Sequence, residues 1–194
     1  MRTRWWVTAL VFVVITVVAV VLGTTMGNLY ANRRVGAERQ ARSTELQDYF
    51  RQNVKGIDVG KPFPNISLLS ADLESTYEAA KILPNGGLIL FLSSSCEACF
   101  DAIDQLAEAA KSSPHTKGRL ALIVFRDGRE AERYIKDKGY DLPLYLDLEA
   151  ALVRDYGIMA FPSYFVLDAS GNLSAMGAFE AGKDAMTDLV NSMP

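Results

Sequence analysis

From Trp5 to Leu22 the chain runs 18 residues without a charge, and none appears until Arg33. A helix crosses the hydrocarbon layer of a bilayer with about 20 mostly apolar residues, so residues 5–22 predict a transmembrane anchor behind a short tail, residues 1–4. Trp5 and Trp6 suit the interfacial aromatic belt. A cleavable signal peptide is the competing reading, but its apolar region usually runs about 7–15 residues, shorter than this one. Residues 23–56 are polar with scattered apolar positions at Leu46, Tyr49 and Phe50, the pattern of a linker that carries a short helix. Residues 57–194 then hold the folded domain.

Within that domain Pro62 and Pro64 bar a helix start, and Ile66 to Leu69 reads as an edge strand. Ser75 to Leu83, STYEAAKIL, predicts a short helix closed by the turn Pro84-Asn85-Gly86-Gly87. Leu88 to Ser93 is a continuous apolar run of strand length, as expected of a strand buried on both faces. From Cys96 the apolar positions take helical spacing at Cys99 and Phe100, Ile103, Leu106 and Ala107, and Ala110, ending near Lys111. Arg119–Asp127 predicts a second buried strand, and residues 128–139 an amphipathic helix with Ala131, Tyr134 and Ile135 inward. A shorter strand ends at Asp147, and Leu148–Gly157 reads as a third helix. Residues 163–179 alternate around the loop Asp168-Ala169-Ser170-Gly171-Asn172, a hairpin pattern, and residues 182–193 close as a helix. This alternation predicts an α/β fold, a mixed central sheet flanked by helices.

Composition agrees, with 49% apolar and 22% charged residues, enough for a core that needs no disulfide staple. The net charge of −3 is unevenly spread: residues 1–44 carry six bases and one acid, residues 45–194 carry 14 bases and 22 acids. An acidic body argues against nucleic acid as a partner, because that affinity comes from neutralising phosphates. Arg2 and Arg4 precede the apolar segment, while Arg33, Arg34, Arg39 and Arg42 come after it, so a count of positive charges alone does not fix the orientation. An anchor with a very short leading tail usually exports the chain behind it. The expectation is a single-pass protein of the cell membrane, held in the bilayer by residues 5–22, with its domain on the extracytoplasmic side.

The chain has two cysteines, Cys96 and Cys99, separated by Glu97 and Ala98. As a structural disulfide the pair would close too short a loop to stabilise much. Structural zinc needs about four ligands, and the chain adds only His115, in the loop-like SSPHTKG, so no metal site is implied. Redox chemistry is the better reading. Cys96 falls at the start of a helix, where free backbone N–H groups and the macrodipole favour an anion. The thiolate is the attacking species, and Cys99, one turn on, returns to the same side to release the mixed disulfide.

The buried strand, the C-x-x-C at a helix start, the late AFPSYFVLDASGNL and the final helix resemble the thioredoxin fold. Together with the apolar N-terminal segment and GKPFPNISL, they resemble the membrane-tethered thiol–disulfide oxidoreductases of the TlpA/ResA type, over roughly Gly60 to Pro194. The resemblance implies an enzyme acting on protein substrates with disulfides or cysteines, in cytochrome c or other redox-protein maturation. Electrons would arrive from a membrane thiol donor, and no cofactor is called for. It further implies that Pro162 is cis and faces the cysteines, and that Phe161 offers its backbone to the substrate chain. A plain trans proline opening an edge strand is the bland alternative.

Three departures from the pattern matter. Ser95 stands where the family has Trp, no proline lies between the cysteines, and LILFLS lacks the buried carboxylate of thioredoxins, leaving Glu97 and Asp101 nearest in sequence. Glu97 is expected to tune the pair: a carboxylate beside Cys96 opposes thiolate formation and makes the dithiol a reductant. Two other functions compete. A peroxiredoxin-like peroxidase would use Ser93 as its hydroxyl but meets Ile89 where its proline belongs. A Cu(I)-binding assembly tether would use both thiols yet lacks a late histidine.

Overall fold

A computed structural model describes residues 17, 21–26, 38, 41, 44–179 and 183–193. The chain divides into two compact units, Met1–Glu45 and Leu46–Pro194. In the first, residues 21–26 are helical, and the Thr25 hydroxyl donates to the Val21 carbonyl at 2.8 Å. The predicted anchor lies outside the described residues except for Val17, Val21 and Leu22. Among the described residues no helix is long and apolar enough to cross a membrane.

The second unit opens within helix α1, residues 44–53, whose Phe50 is buried. Among the described residues seven strands come next: β1 (Ser67–Ser70), β2 (Thr76–Glu78), β3 (Gly87–Ser93), β4 (Leu120–Phe125), β5 (Leu144–Asp147), β6 (Ser163–Leu167) and β7 (Leu173–Ala178). They are interleaved with helices α2 (Glu97–Ser112), α3 (Arg129–Lys138), α4 (Ala151–Arg154) and α5 (Lys183–Asn191). The order across the sheet is β2-β1-β5-β4-β3-β6-β7. The β3–β4 and β4–β5 pairs are parallel, joined through α2 and α3, and the remaining pairs are antiparallel.

The continuous apolar run of β3 has its cause in two cores. Leu88, Leu90 and Leu92 point to one face, where they pack with Ile103 and Leu106 of α2, Ile135 of α3 and Val190 of α5. Ile89 and Phe91 point to the other face, with Phe50, Phe63, Leu152 and Phe165. A strand covered on both sides has no solvent face to keep polar, so the sequence shows no alternation.

Three expectations change. Ser75–Leu83 is not a helix: Thr76–Glu78 pairs antiparallel with β1, and only the 3₁₀ turn Ala79–Lys81 comes after it. Thr76 and Tyr77 are strand formers, and the turn before them is fixed by Asp72, which accepts from the Ser70 hydroxyl and from the Glu74 N–H at 3.0 Å. In consequence β1 lies between β2 and β5 rather than at the edge. The helix expected over Leu148–Gly157 shrinks to the single turn of α4. Gly157 ends that segment at φ +71, and a Cβ there would stand 2.2 Å from the Asn53 carbonyl oxygen, so the chain must leave the helix to pass the end of α1.

Candidate functional site

The parallel strands β3, β4 and β5 end at the same edge of the sheet, and the antiparallel β6 begins there. Open α/β sheets carry their sites at such carboxyl ends. Past Ser93 the chain turns through Ser94 and Ser95 into α2. The Cys96 N–H donates to the Ser93 carbonyl at 3.1 Å, and the Cys99 N–H donates to the Cys96 carbonyl at 3.0 Å. Cys96 is the N-cap residue, in extended conformation at φ −110, ψ 109. Its side chain makes no capping bond, which leaves the sulfur available at the positive end of a 16-residue helix.

Both cysteines are free thiols. Cys96 is partly exposed, whereas Cys99 is 2% exposed and packs in the core between α2 and the sheet. Burial pushes the Cys99 thiol well above its ordinary pKa, and the neighbouring Cys96 adds to the shift. The pair is therefore asymmetric, with one sulfur open to a visiting molecule and one held neutral beneath it.

Facing the pair is the loop before β6. The Phe161–Pro162 peptide bond is cis, and the Cys96 thiol donates to the Phe161 carbonyl oxygen at 3.6 Å. The loop is pinned on three sides. The Phe161 ring stacks at a tilt on Phe91 (5.1 Å) and Phe125 (5.7 Å). The Phe179 N–H donates to the Pro162 carbonyl at 2.8 Å, and the Ser163 hydroxyl donates to the Ala160 carbonyl at 2.6 Å. Cys96, Cys99, Phe161 and Pro162 thus meet at one place although 65 residues separate Cys96 from Phe161.

The other residues of interest divide. Glu97 occupies the first turn of α2 and is exposed, as is Asp101. The hydroxyls of Ser93 and Ser95 lie 3.0 Å apart, and the Ser94 hydroxyl donates to the Asp127 carbonyl, tying the cysteine loop to the start of α3. The Asp127 carboxylate is gripped by the Arg129 guanidinium, at 2.6 Å for the shortest contact, which holds its pKa down at about 2. His115 sits in the turn before β4, at the end of the sheet opposite the cysteines. No local pattern singles out Asp127, because the fold makes its tie to the cysteine loop through the Ser94 hydroxyl, and Met159 is marked in sequence only by its nearness to Phe161 and Pro162.

The arrangement can attack a disulfide with Cys96 and release the product with Cys99. Comparison with known proteins places it in a family. The chain belongs to the AhpC/TSA family, whose model matches residues 59–176. It is 27% identical over 135 residues to the thiol-disulfide oxidoreductase ResA of Bacillus thuringiensis subsp. konkukian, covering 67% of this chain and 75% of that protein. Among solved structures it superimposes on a thiol:disulfide interchange protein of the thioredoxin family from Chlorobium tepidum, at a TM-score of 0.53 and 21% identity, over 72% of this chain and 99% of the other. A secreted disulfide oxidoreductase of Mycobacterium tuberculosis matches at a TM-score of 0.54 and 13% identity, over 66% and 96%. The fold is thioredoxin-like.

Proposed function

We propose that this chain is a membrane-tethered protein disulfide reductase, a thiol–disulfide oxidoreductase whose domain works outside the cytoplasm. Membership of the AhpC/TSA family and the likeness to ResA support the class of reaction. The observation that carries it is the Cys96 thiol set against the Phe161 carbonyl, with Cys99 buried directly behind.

The reaction takes two exchanges. Cys96, as thiolate, attacks one sulfur of a substrate disulfide, and the other substrate sulfur leaves as a thiolate and takes up a proton. The Phe161 backbone aligns the visiting chain. Cys99 then loses its proton and attacks the Cys96 sulfur. The second substrate thiol departs, and a Cys96–Cys99 disulfide remains. Two electrons have passed from the dithiol to the substrate, and a membrane thiol donor restores the dithiol. Cytochrome c or other redox-protein maturation would use such a reductant. Residues 5–22 hold the enzyme in the bilayer.

Glu97 sets the direction. Glu97 comes directly after Cys96 in the first turn of α2, and an acidic neighbour offers none of the stabilisation of the reduced form to which strong oxidants owe their potential. Equilibration of the domain with glutathione buffers should give a potential well below about −120 mV, the value of a strong periplasmic oxidant. A potential at that level would reverse the assignment.

The reading as a whole is tested by trapping. With Cys99→Ser in the full-length protein, the second exchange is blocked and substrates should accumulate as mixed disulfides on Cys96, identifiable by mass spectrometry. Absence of any trapped protein, together with no reduction of insulin by the wild type, would overturn it.

A further inference from the structure

The rim of Cys96 has two chemically different sides. On the α3 side, Ser94, Ser95, Asp127, Arg129, Glu130 and Arg133 line a polar concavity, already knit together by the Asp127–Arg129 ion pair and by the bond from the Ser94 hydroxyl to the Asp127 carbonyl. On the other side runs the segment 158–162. Its ends are fixed, since Ile158 is fully buried and Pro162 is buried too. Between them Met159 is 59% exposed. It lies two residues before Phe161, whose carbonyl accepts from the Cys96 thiol. Two residues of chain span at most about 7 Å, so Met159 lies within that distance of Phe161, the residue that faces Cys96.

A large apolar side chain left in water at this position forfeits the gain of burial. Methionine is also the apolar residue best able to adapt to differently shaped partners, being unbranched and polarisable. The charged residues of the concavity, which would reject an apolar partner, lie on the α3 side of the sulfur.

We infer that Met159 is a specificity-determining residue, the apolar contact that favours disulfides whose half-cystine is flanked by apolar side chains. The inference rests on the disulfide-reductase reading above and names the substrate class that the site would prefer. A flanking Leu would lay its side chain on Met159 and leave water, whereas a flanking Asn would have to give up its hydration there without a partner.

Two disulfide-bridged peptides test this, identical except that the residues on both sides of the half-cystine are Leu in one and Asn in the other. The reduced full-length wild type should reduce the Leu peptide with a kcat/KM about tenfold higher, the scale of one apolar side chain in an apolar site. Met159→Leu should keep the ratio of the two rates, and Met159→Glu should bring it to about unity or below. Equal wild-type rates on both peptides, or a preference that survives in Met159→Glu, would overturn the inference while leaving the reductase intact. Wild-type inactivity on both peptides and on insulin would instead remove the reductase reading itself.

Discussion

At the scale of single residues, the two thiols differ in environment more than in kind. Cys99 is buried among Leu92, Ala102 and Ile103, and its neutral form is strongly favoured in the folded, reduced protein. Its folded pKa lies above the value of about 8.5 expected for an unfolded cysteine, so the unfolded chain ionises first. The stability that this thiol supports is complete below about pH 8.5 and is lost as pH rises beyond it. Urea unfolding of the reduced protein should therefore show the difference in stability between wild type and Cys99→Ala shrinking above that pH, by up to about 1.4 kcal/mol per pH unit. A difference constant from pH 7 to 10 would show that Cys99 ionises as readily in the folded protein as in the unfolded one.

At the scale of elements, the short helix α4 matters beyond its four residues. Asp147, at the end of β5, is fully buried, and its two carboxylate oxygens accept from the Ala151 N–H (2.8 Å) and the Leu152 N–H (2.9 Å). These are orphan donors of a helix start, and a carboxylate is a strong cap for them. The Ile158 N–H returns to the Leu152 carbonyl at 3.1 Å, and the Lys55 N–H reaches the Tyr156 carbonyl at 2.9 Å. By these bonds α4 and the end of α1 hold the chain that continues into Met159, Phe161 and Pro162. Asp147→Ala should cost about 2 kcal/mol in urea unfolding, from the lost cap and the buried N–H groups left unpaired. Asp147→Asn, which keeps one acceptor oxygen, should recover part of it. Loss of less than about 0.5 kcal/mol in the Ala variant would mean that the cap is dispensable.

At the scale of the whole molecule, the chain divides after Glu45. The second unit holds both hydrophobic clusters, the seven-stranded sheet and every side chain assigned to the redox site. Residues 46–194 expressed alone should consequently unfold in one cooperative transition and reduce soluble disulfides. A chain cut at residue 57 would lose Phe50 from the core, along with the Lys55 N–H bond to Tyr156, and should be less stable. Comparison of the two by thermal unfolding decides the matter: equal midpoints would place residues 46–56 outside the cooperative fold.

Local chemistry is enough to locate β3, α2, α3 and the β6–β7 hairpin, because each rests on a run of apolar spacing that any partner surface would satisfy. The two cysteines at a helix start are legible for the same reason, since a cap position is a property of a few neighbouring residues. The segment Thr76–Glu78 reads as helical in sequence and is a strand, because what decides it is a partner strand at Leu68 and Leu69, outside the window that periodicity samples. The sequence alone determined which sulfur begins a helix and which lies one turn later. Only the tertiary structure decided that Cys99 is sealed from water, that Phe161 arrives opposite Cys96 and that Met159 stays exposed while Ile158 and Pro162 are buried. Those facts depend on contacts between residues far apart in the chain, and such contacts exist only once the sheet has closed.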